Sequence, residues 1–157
     1  MREILFKAKR LDNGEWVEGY LCKHPSAVQV GETSPWYIHV SPVDPDDVGG
    51  IYNVNAETVC QYTGLTDKNG VKIWEGDILE WKRKDILAGG AYALYAKYKY
   101  GHRLVVRCLP AGFMLCQLED SFPESPSSNG KIDNYSLWNF HGFWEVVGNI
   151  YDQEDKG

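Results

Sequence analysis

The sequence contains no long apolar run and no CxxC pair of cysteines, and each absence narrows the possible classes of protein. No uninterrupted hydrophobic stretch approaches the ~20 residues of a membrane-spanning helix, and the charged start of the chain is unlike a secretory signal peptide. The four cysteines form no CxxC pair, and no histidine lies at the usual zinc-ligand spacing from a cysteine, so we expect buried free thiols. These features predict a protein of the reducing cytoplasm without a membrane segment.

The motifs that carry most enzyme chemistry are missing as well. The sequence has no GxSxG elbow, no adjacent cysteine and histidine, no GxGxxG or GxxxxGK[ST] phosphate loop, and no HExxH or DxDxDG metal motif. A cysteine and a histidine that only the fold brings together are not excluded by this. We therefore expect a protein that is not an enzyme, with no catalytic residue, no metal ligand and no cofactor.

One group of carboxylates keeps a second interpretation open. Glu75 and Asp77 are two residues apart and would share a face of an extended segment. Together with Glu57 or Glu145 they could hold a metal ion for hydrolysis. Asp77 is equally explained as a turn residue whose carboxylate binds backbone amides, so metal-dependent hydrolysis is an alternative only.

Aromatic and turn residues are abundant, and both favour β structure. Aromatic residues make up 13% of the chain, and they suit the half-buried surface of a sheet. Alternating segments over 2–10 and 15–21, on either side of Asn13-Gly14, predict an N-terminal hairpin. Further strands are predicted over 36–40, 57–62, 78–81, 104–109, 113–118 and 143–150.

These elements predict a mainly β fold, with a β-rich α+β fold as the alternative. The length of 157 residues fits a single domain over 1–157. Within it we expect a hairpin lobe over 1–56 and a small SH3-like or partly open β-barrel over 57–151. A flexible loop is predicted over 119–134 and a frayed tail over 152–157. Residues 85–101 fit a helix and a strand equally well.

Three segments, in the same order along the chain, resemble a known family. The first comprises REI at 2–4 and FKA at 6–8, followed by Trp16-Val17 and Gly19. The middle segment is ETVCQYTGLTDKNGVKIWEGDIL over 57–79, and the final one is WEVVGNIY over 144–151. This pattern resembles the YopX family of bacteriophage and prophage proteins, although Lys9 and Cys60 stand where the family usually has Trp and Gly. The resemblance implies a phage-derived, largely β protein of a bacterial host cell, without an established activity, and it supplies no catalytic residue.

Several positions in the middle and final segments are predicted to shape turns rather than to act chemically. Glycine and asparagine tolerate positive φ, and aspartate binds nearby backbone amides. These positions are Gly64, Asn69, Gly70, Gly76, Asp77, Gly148 and Asn149.

The charge of the chain changes sign just after the middle segment. Residues 81–107 contain seven basic residues and one acid, a net charge of +6 in a chain of net charge −6. Cations interleaved with aromatic rings are typical of nucleic-acid grooves. The candidate binding patch is Lys82, Arg83, Lys84, Lys97, Tyr98, Lys99, Tyr100 and Arg103. The acidity of the whole chain opposes nucleic acid, so an acidic protein or subunit surface, or an ordinary solvated face, explains the patch as well.

The function predicted from these observations is that of a non-enzymatic accessory or binding protein that forms a homo-oligomer. Nucleic-acid binding through the basic window is the first alternative, and metal-dependent hydrolysis is the second. The aromatic segment 135–144 is predicted to pack in the core, with an oligomer interface as the other interpretation.

Overall fold

The computed structural model describes residues 3–24, 34–42, 46, 49–82, 101, 103–110, 112–117, 135–136 and 141–152. The chain divides into two compact units, Met1–Gly64 and Leu65–Gly157, whereas the sequence analysis placed a division between 56 and 57. The described residues form strands and short 3-10 turns and no α-helix, which confirms the mainly β prediction. Within that part of the chain, no helix is long and apolar enough to cross a membrane.

The first unit is built on antiparallel strands. They are β1 (Phe6–Lys9), β2 (Trp16–Lys23), β3 (Trp36–Val40), β4 (Gly50–Asn53) and the start of β5 (Cys60–Thr66). Their order in the sheet is β4-β3-β2-β1-β5. β1 and β2 form the predicted hairpin, with Phe6 opposite Gly19 and Lys9 opposite Trp16.

Alternation along these strands separates a buried face from an open face. Ala8, Ile38 and Val54 are fully buried and form the core of the unit. On each strand, the residues next to the core-facing ones point to the other side of the sheet, because successive side chains in a strand alternate. The β1–β2 turn lets the chain reverse at Gly14, whose φ of 73° suits glycine.

A 3-10 turn over Ala56–Thr58 connects β4 to β5. The sequence predicted extended structure from residue 57, and this part of the prediction is wrong. The reason is local: the Asn55 side chain accepts a hydrogen bond from the Glu57 amide at 3.0 Å, and the Thr58 hydroxyl donates to the Asn55 carbonyl at 2.8 Å. These bonds stabilise a tight turn, and β5 begins only at Cys60.

The second unit contains the end of β5 and the remaining strands. They are β6 (Lys72–Trp74), β7 (Asp77–Trp81), β8 (Arg103–Leu109), β9 (Gly112–Gln117), β10 (Tyr135–Ser136) and β11 (Trp144–Asn149). β6 pairs with β5, and the other five form an antiparallel sheet in the order β10-β9-β8-β7-β11. Among the described residues the sheets do not close into a barrel; the sequence had predicted an SH3-like or partly open one.

The core of the second unit is aromatic and aliphatic. Trp81 and Trp144 lie opposite each other on β7 and β11, with ring centroids 5.2 Å apart. Both are buried with Leu79, Leu104 and Leu115. Within the aromatic segment 135–144, Trp144 therefore packs in the core, as predicted.

Some sequence predictions fall outside the described residues. These are the undecided segment 85–101 apart from Gly101, and the loop over 119–134. Of the predicted tail, the structure describes Asp152, whose carboxylate accepts a hydrogen bond from the Asn149 amide at 2.8 Å.

Candidate functional site

Asp77 is a buried carboxylate that shapes the second unit. One of its oxygens accepts a hydrogen bond from the Trp74 amide at 2.8 Å. The other accepts one from the side-chain amide of Asn149 at 2.9 Å. Gly76, with a φ of 78°, donates its amide to the Val106 carbonyl at 2.8 Å. The turn before β7 is thus bound to the end of β11.

Asp67 makes a second link between the middle and final segments. Its Oδ1 accepts hydrogen bonds from the amides of Asn69 (2.8 Å) and Val71 (3.0 Å), which shape the β5–β6 turn. Its Oδ2 accepts one from the Val146 amide at 3.0 Å, 79 residues further along the chain. The middle and final of the three segments that carry the family resemblance therefore meet through two buried aspartates.

These contacts bear on the carboxylate site predicted for metal-dependent hydrolysis. Both oxygens of Asp77 are occupied by backbone and amide donors, and Glu145 lies 3.5 Å from the Lys68 ammonium. Among the described residues, Glu75, Asp77 and Glu145 do not form a group of ligand atoms near enough to hold one ion. Glu57, in the first unit, is exposed. The arrangement lends no support to the hydrolase.

The other turn positions lie at bends and irregularities of the strands. Gly64 and Gly70 have φ values of 83° and 81°. Gly70 closes the β5–β6 turn by donating to the Asp67 carbonyl at 3.0 Å. Gly148 lies at a register shift between β11 and β7, which marks a bulge.

The structure describes only two members of the predicted basic patch, Lys82 and Arg103. Both bind Glu80: Lys82 Nζ lies 2.5 Å from one carboxylate oxygen and Arg103 Nε lies 2.8 Å from the other. The Lys82 ammonium, and after it the Arg103 guanidinium, lowers the pKa of Glu80. The other members lie outside the described residues: Arg83, Lys84, Lys97, Tyr98, Lys99 and Tyr100. The two described cations are thus engaged by an acid of the same sheet.

The first unit presents an open face with an unusual surface. Tyr20 lies opposite His39, and His39 lies opposite Ile51, across β2, β3 and β4. Opposite residues in a sheet share a face, so the three side chains form one row, which we call the open row. Tyr20 is 49% exposed and Ile51 is 61% exposed. Neighbouring apolar side chains with such exposure mark a candidate binding surface.

The fold also brings together a cysteine and two histidines, one of which, His39, belongs to the open row. Cys22 and His24 are two residues apart at the end of β2, and His39 lies on the neighbouring β3. The Cys22 sulfur and one ring nitrogen of each histidine all lie within 4.8 Å of one another. The two Nε2 atoms are 3.4 Å apart. We call this group the Cys-His-His cluster.

The sequence analysis missed this cluster and described the cysteines as buried. Cys60 and Cys116 are buried, but Cys22 is half-buried and Cys108 is exposed, and none of them forms a disulfide. The Cys-x-His pattern within an alternating strand was the available signal, since it places both side chains on one face. The third member, His39, follows only from the pairing of β2 with β3.

The Cys22 thiol does not have the character of a catalytic nucleophile. Burial raises the pKa of the Cys22 thiol, and the thiol donates a hydrogen bond to the Tyr37 carbonyl at 3.6 Å. Reactive cysteines have a lowered pKa instead. The direction of this pKa shift lends no support to a Cys-His catalytic pair.

The described elements define a mainly β protein of antiparallel sheets in which two buried aspartates join distant segments. The chain belongs to the YopX protein family, whose model matches residues 6–155. Among solved structures it is similar to that of protein EF1440 from Enterococcus faecalis, with 18% sequence identity, 99% of this chain and 98% of that chain covered, and a TM-score of 0.48. No curated protein matches the sequence significantly.

Proposed function

We propose that the protein is a non-enzymatic accessory protein of phage or prophage origin that works by binding in the cytoplasm of a bacterial host. We further propose that it associates with itself through the open face of its first unit. The observation that carries the proposal is the open row of Tyr20, His39 and Ile51, with two large apolar side chains exposed across three paired strands.

The geometry of the open row suits a flat contact with a second copy. Neighbouring strands are about 4.8 Å apart, so a row across three strands is roughly 10 Å long. A two-fold contact places the same patch of each copy against the other. Two such faces would then cover Tyr20 and Ile51 together, which removes apolar surface from water.

The net charge disfavours nucleic acid as the partner. The whole chain has a net charge of −6, and its overall field opposes phosphate groups. Lys7 and Lys9, also on the first unit, lie over the Trp16 ring at 4.8 Å and 5.8 Å. Lys82 and Arg103 are engaged by Glu80.

Sedimentation equilibrium over a range of protein concentrations tests self-association. We expect the molar mass of the natural protein to rise with concentration, and that of a Tyr20→Ser/Ile51→Ser double variant to stay at the monomer value. Leu11→Ser is the matched control, because Leu11 is 43% exposed in the same unit but lies in the β1–β2 turn. A natural protein that is monomeric throughout contradicts the proposal, as does a Leu11→Ser variant that dissociates equally.

The same samples test nucleic acid as the alternative partner. A mobility-shift measurement with single-stranded and duplex DNA at low salt should show no complex. A shift that weakens steeply with added salt would support nucleic-acid binding instead, because phosphate contacts release counterions.

A further inference from the structure

We propose that the Cys-His-His cluster of the first unit is a binding site for a zinc-class divalent transition metal ion. The ligands are the Cys22 sulfur and the Nε2 atoms of His24 and His39. Thiolate and imidazole are the donors that zinc prefers. The proposal does not depend on self-association, since all three ligands come from one chain.

The separation of the two histidine nitrogens matches the coordination sphere of zinc. Zinc binds histidine nitrogen at about 2.0–2.1 Å with tetrahedral geometry, which places two such nitrogens about 3.3–3.4 Å apart. The His24 and His39 Nε2 atoms are 3.4 Å apart. The Cys22 sulfur lies within 4.8 Å of one ring nitrogen of each histidine, so side-chain rotations can bring the three ligands around one ion.

Without a shared metal ion, the direct contact between the two imidazoles is weak. A hydrogen bond between them would need one Nε2 to donate and the other to accept, and 3.4 Å is long for a good hydrogen bond. Their ring planes are parallel to within 1°, with centroids 5.7 Å apart. The two Nε2 atoms therefore face each other across 3.4 Å, and a turn of each ring would aim both lone pairs at one ion.

The backbone holds the cluster in place before any ion binds. Cys22 lies opposite Tyr37 in the β2–β3 ladder, and the His24 amide donates to the Pro35 carbonyl at 2.8 Å. The His24 ring also packs edge-on against Tyr37, with centroids 5.0 Å apart. Because β2 and β3 are paired around the cluster, little chain entropy is lost when a metal ion binds.

Metal binding releases one proton. The thiol loses its proton to solvent and the resulting thiolate bonds the ion, while both imidazoles bind as neutral ligands. The thiol's hydrogen bond to the Tyr37 carbonyl is given up in this step. Three protein ligands leave a fourth position for water. Magnesium and calcium prefer oxygen ligands, so we expect neither to compete.

A cobalt titration of the full chain, freed of metal and of any polyhistidine tag and kept reduced, tests the site. Tetrahedral Co²⁺ with a thiolate ligand gives visible d–d bands and a near-ultraviolet sulfur-to-metal band. We expect one Co²⁺ per chain, displaced by Zn²⁺ but not by Mg²⁺. Cys22→Ser should remove the sulfur band, and His24→Gln or His39→Gln should weaken binding at least about tenfold, since even outer-shell changes at metal sites have such effects.

The matched control is Cys108→Ser, which removes an exposed cysteine outside the cluster and should leave the titration unchanged. Circular dichroism of each variant verifies that the sheet still forms. The proposal is overturned if the natural protein binds no Co²⁺ saturably, or if the sulfur band survives Cys22→Ser. The Tyr20→Ser/Ile51→Ser variant should bind Co²⁺ normally, so failure of self-association and failure of the metal site are distinguishable.

Discussion

The side-chain amide of Asn149 donates a hydrogen bond to the Asp77 carboxylate at 2.9 Å, although 72 residues separate them in sequence. Both residues are almost fully buried. The contact lies next to the Gly76 turn, whose carbonyl accepts the Ile150 amide at 2.9 Å. The end of the second unit is therefore fixed to its beginning by polar contacts that water hardly reaches, and such contacts are costly to disrupt.

Replacing Asp77 should consequently destabilise the protein. Asp77→Ala removes the acceptor for the Trp74 amide and for the Asn149 side chain. Leaving such buried donors without an acceptor costs about 1–3 kcal/mol each, so we expect a loss of at least about 2 kcal/mol in the free energy of unfolding. Urea denaturation followed by tryptophan fluorescence measures it.

Glu75→Ala is the control for this substitution. Glu75 is half-buried in the same turn, but its contact with the Asn149 side chain is made through its backbone carbonyl, at 3.4 Å. Its truncation should change the urea midpoint little. If both variants lost equal stability, the Asp77 contacts would not be the cause.

Gly76 and Gly70 offer a matched test of close packing. Both have positive φ, 78° and 81°, so alanine is strained at either position by roughly 1 kcal/mol. A Cβ at Gly76 would also meet the Asn149 side-chain nitrogen and Ile150 Cγ1 at 3.3 Å, whereas one at Gly70 meets nothing within 4 Å.

We therefore expect Gly76→Ala to be the more destabilising of the two, by a further ~1 kcal/mol or more. Paired urea denaturation curves measure the difference. Equal losses would show that the Asn149 contact tolerates the added methyl group.

The sequence predicted those parts of the fold that depend on local patterns. Alternation alone placed β3 at 36–40, as found, because every second residue of a half-buried strand is apolar. The short strand β4 (Gly50–Asn53) was missed, since four residues that begin with a glycine carry too little periodicity. The open row and the Cys-His-His cluster depend on which strands pair and in which register. That information is non-local, and only the fold supplies it.

Thiol labelling should follow the different surroundings of the cysteines. Cys108 is exposed, Cys22 is half-buried, and Cys60 and Cys116 are buried. Alkylation of the native, metal-free protein, followed by peptide mass spectrometry, should modify Cys108 first and Cys22 more slowly. Cys60 and Cys116 should react only after denaturation. Early modification of Cys60 would contradict the described packing of the first unit.

The reactivity of Cys108 should also depend on Glu75. Partial desolvation, and after it the negative charge of Glu75, raises the pKa of the Cys108 thiol. Because the thiolate is the reactive form, Glu75→Gln should shift the pH profile of Cys108 alkylation to lower pH. The Cys22 profile is the internal control and should stay in place.

The stability of the protein in acid should depend on Glu80. The Lys82 and Arg103 cations lower the pKa of Glu80 in the folded protein, below the ordinary glutamate value of about 4.3 that applies to the unfolded chain. A group with a lowered folded pKa stabilises the fold above its unfolded pKa, and this contribution is lost as the pH falls through the folded pKa.

The difference in unfolding free energy between the natural protein and Glu80→Gln should therefore be constant from neutral pH to about pH 5, and should shrink as the pH falls further. Urea denaturation at several pH values measures this difference. High salt should reduce it at neutral pH, because Arg103 is largely exposed and exposed charges are screened. A difference that grew on acidification would mean that the fold prefers the protonated form of Glu80, which would contradict its ion pairs with Lys82 and Arg103.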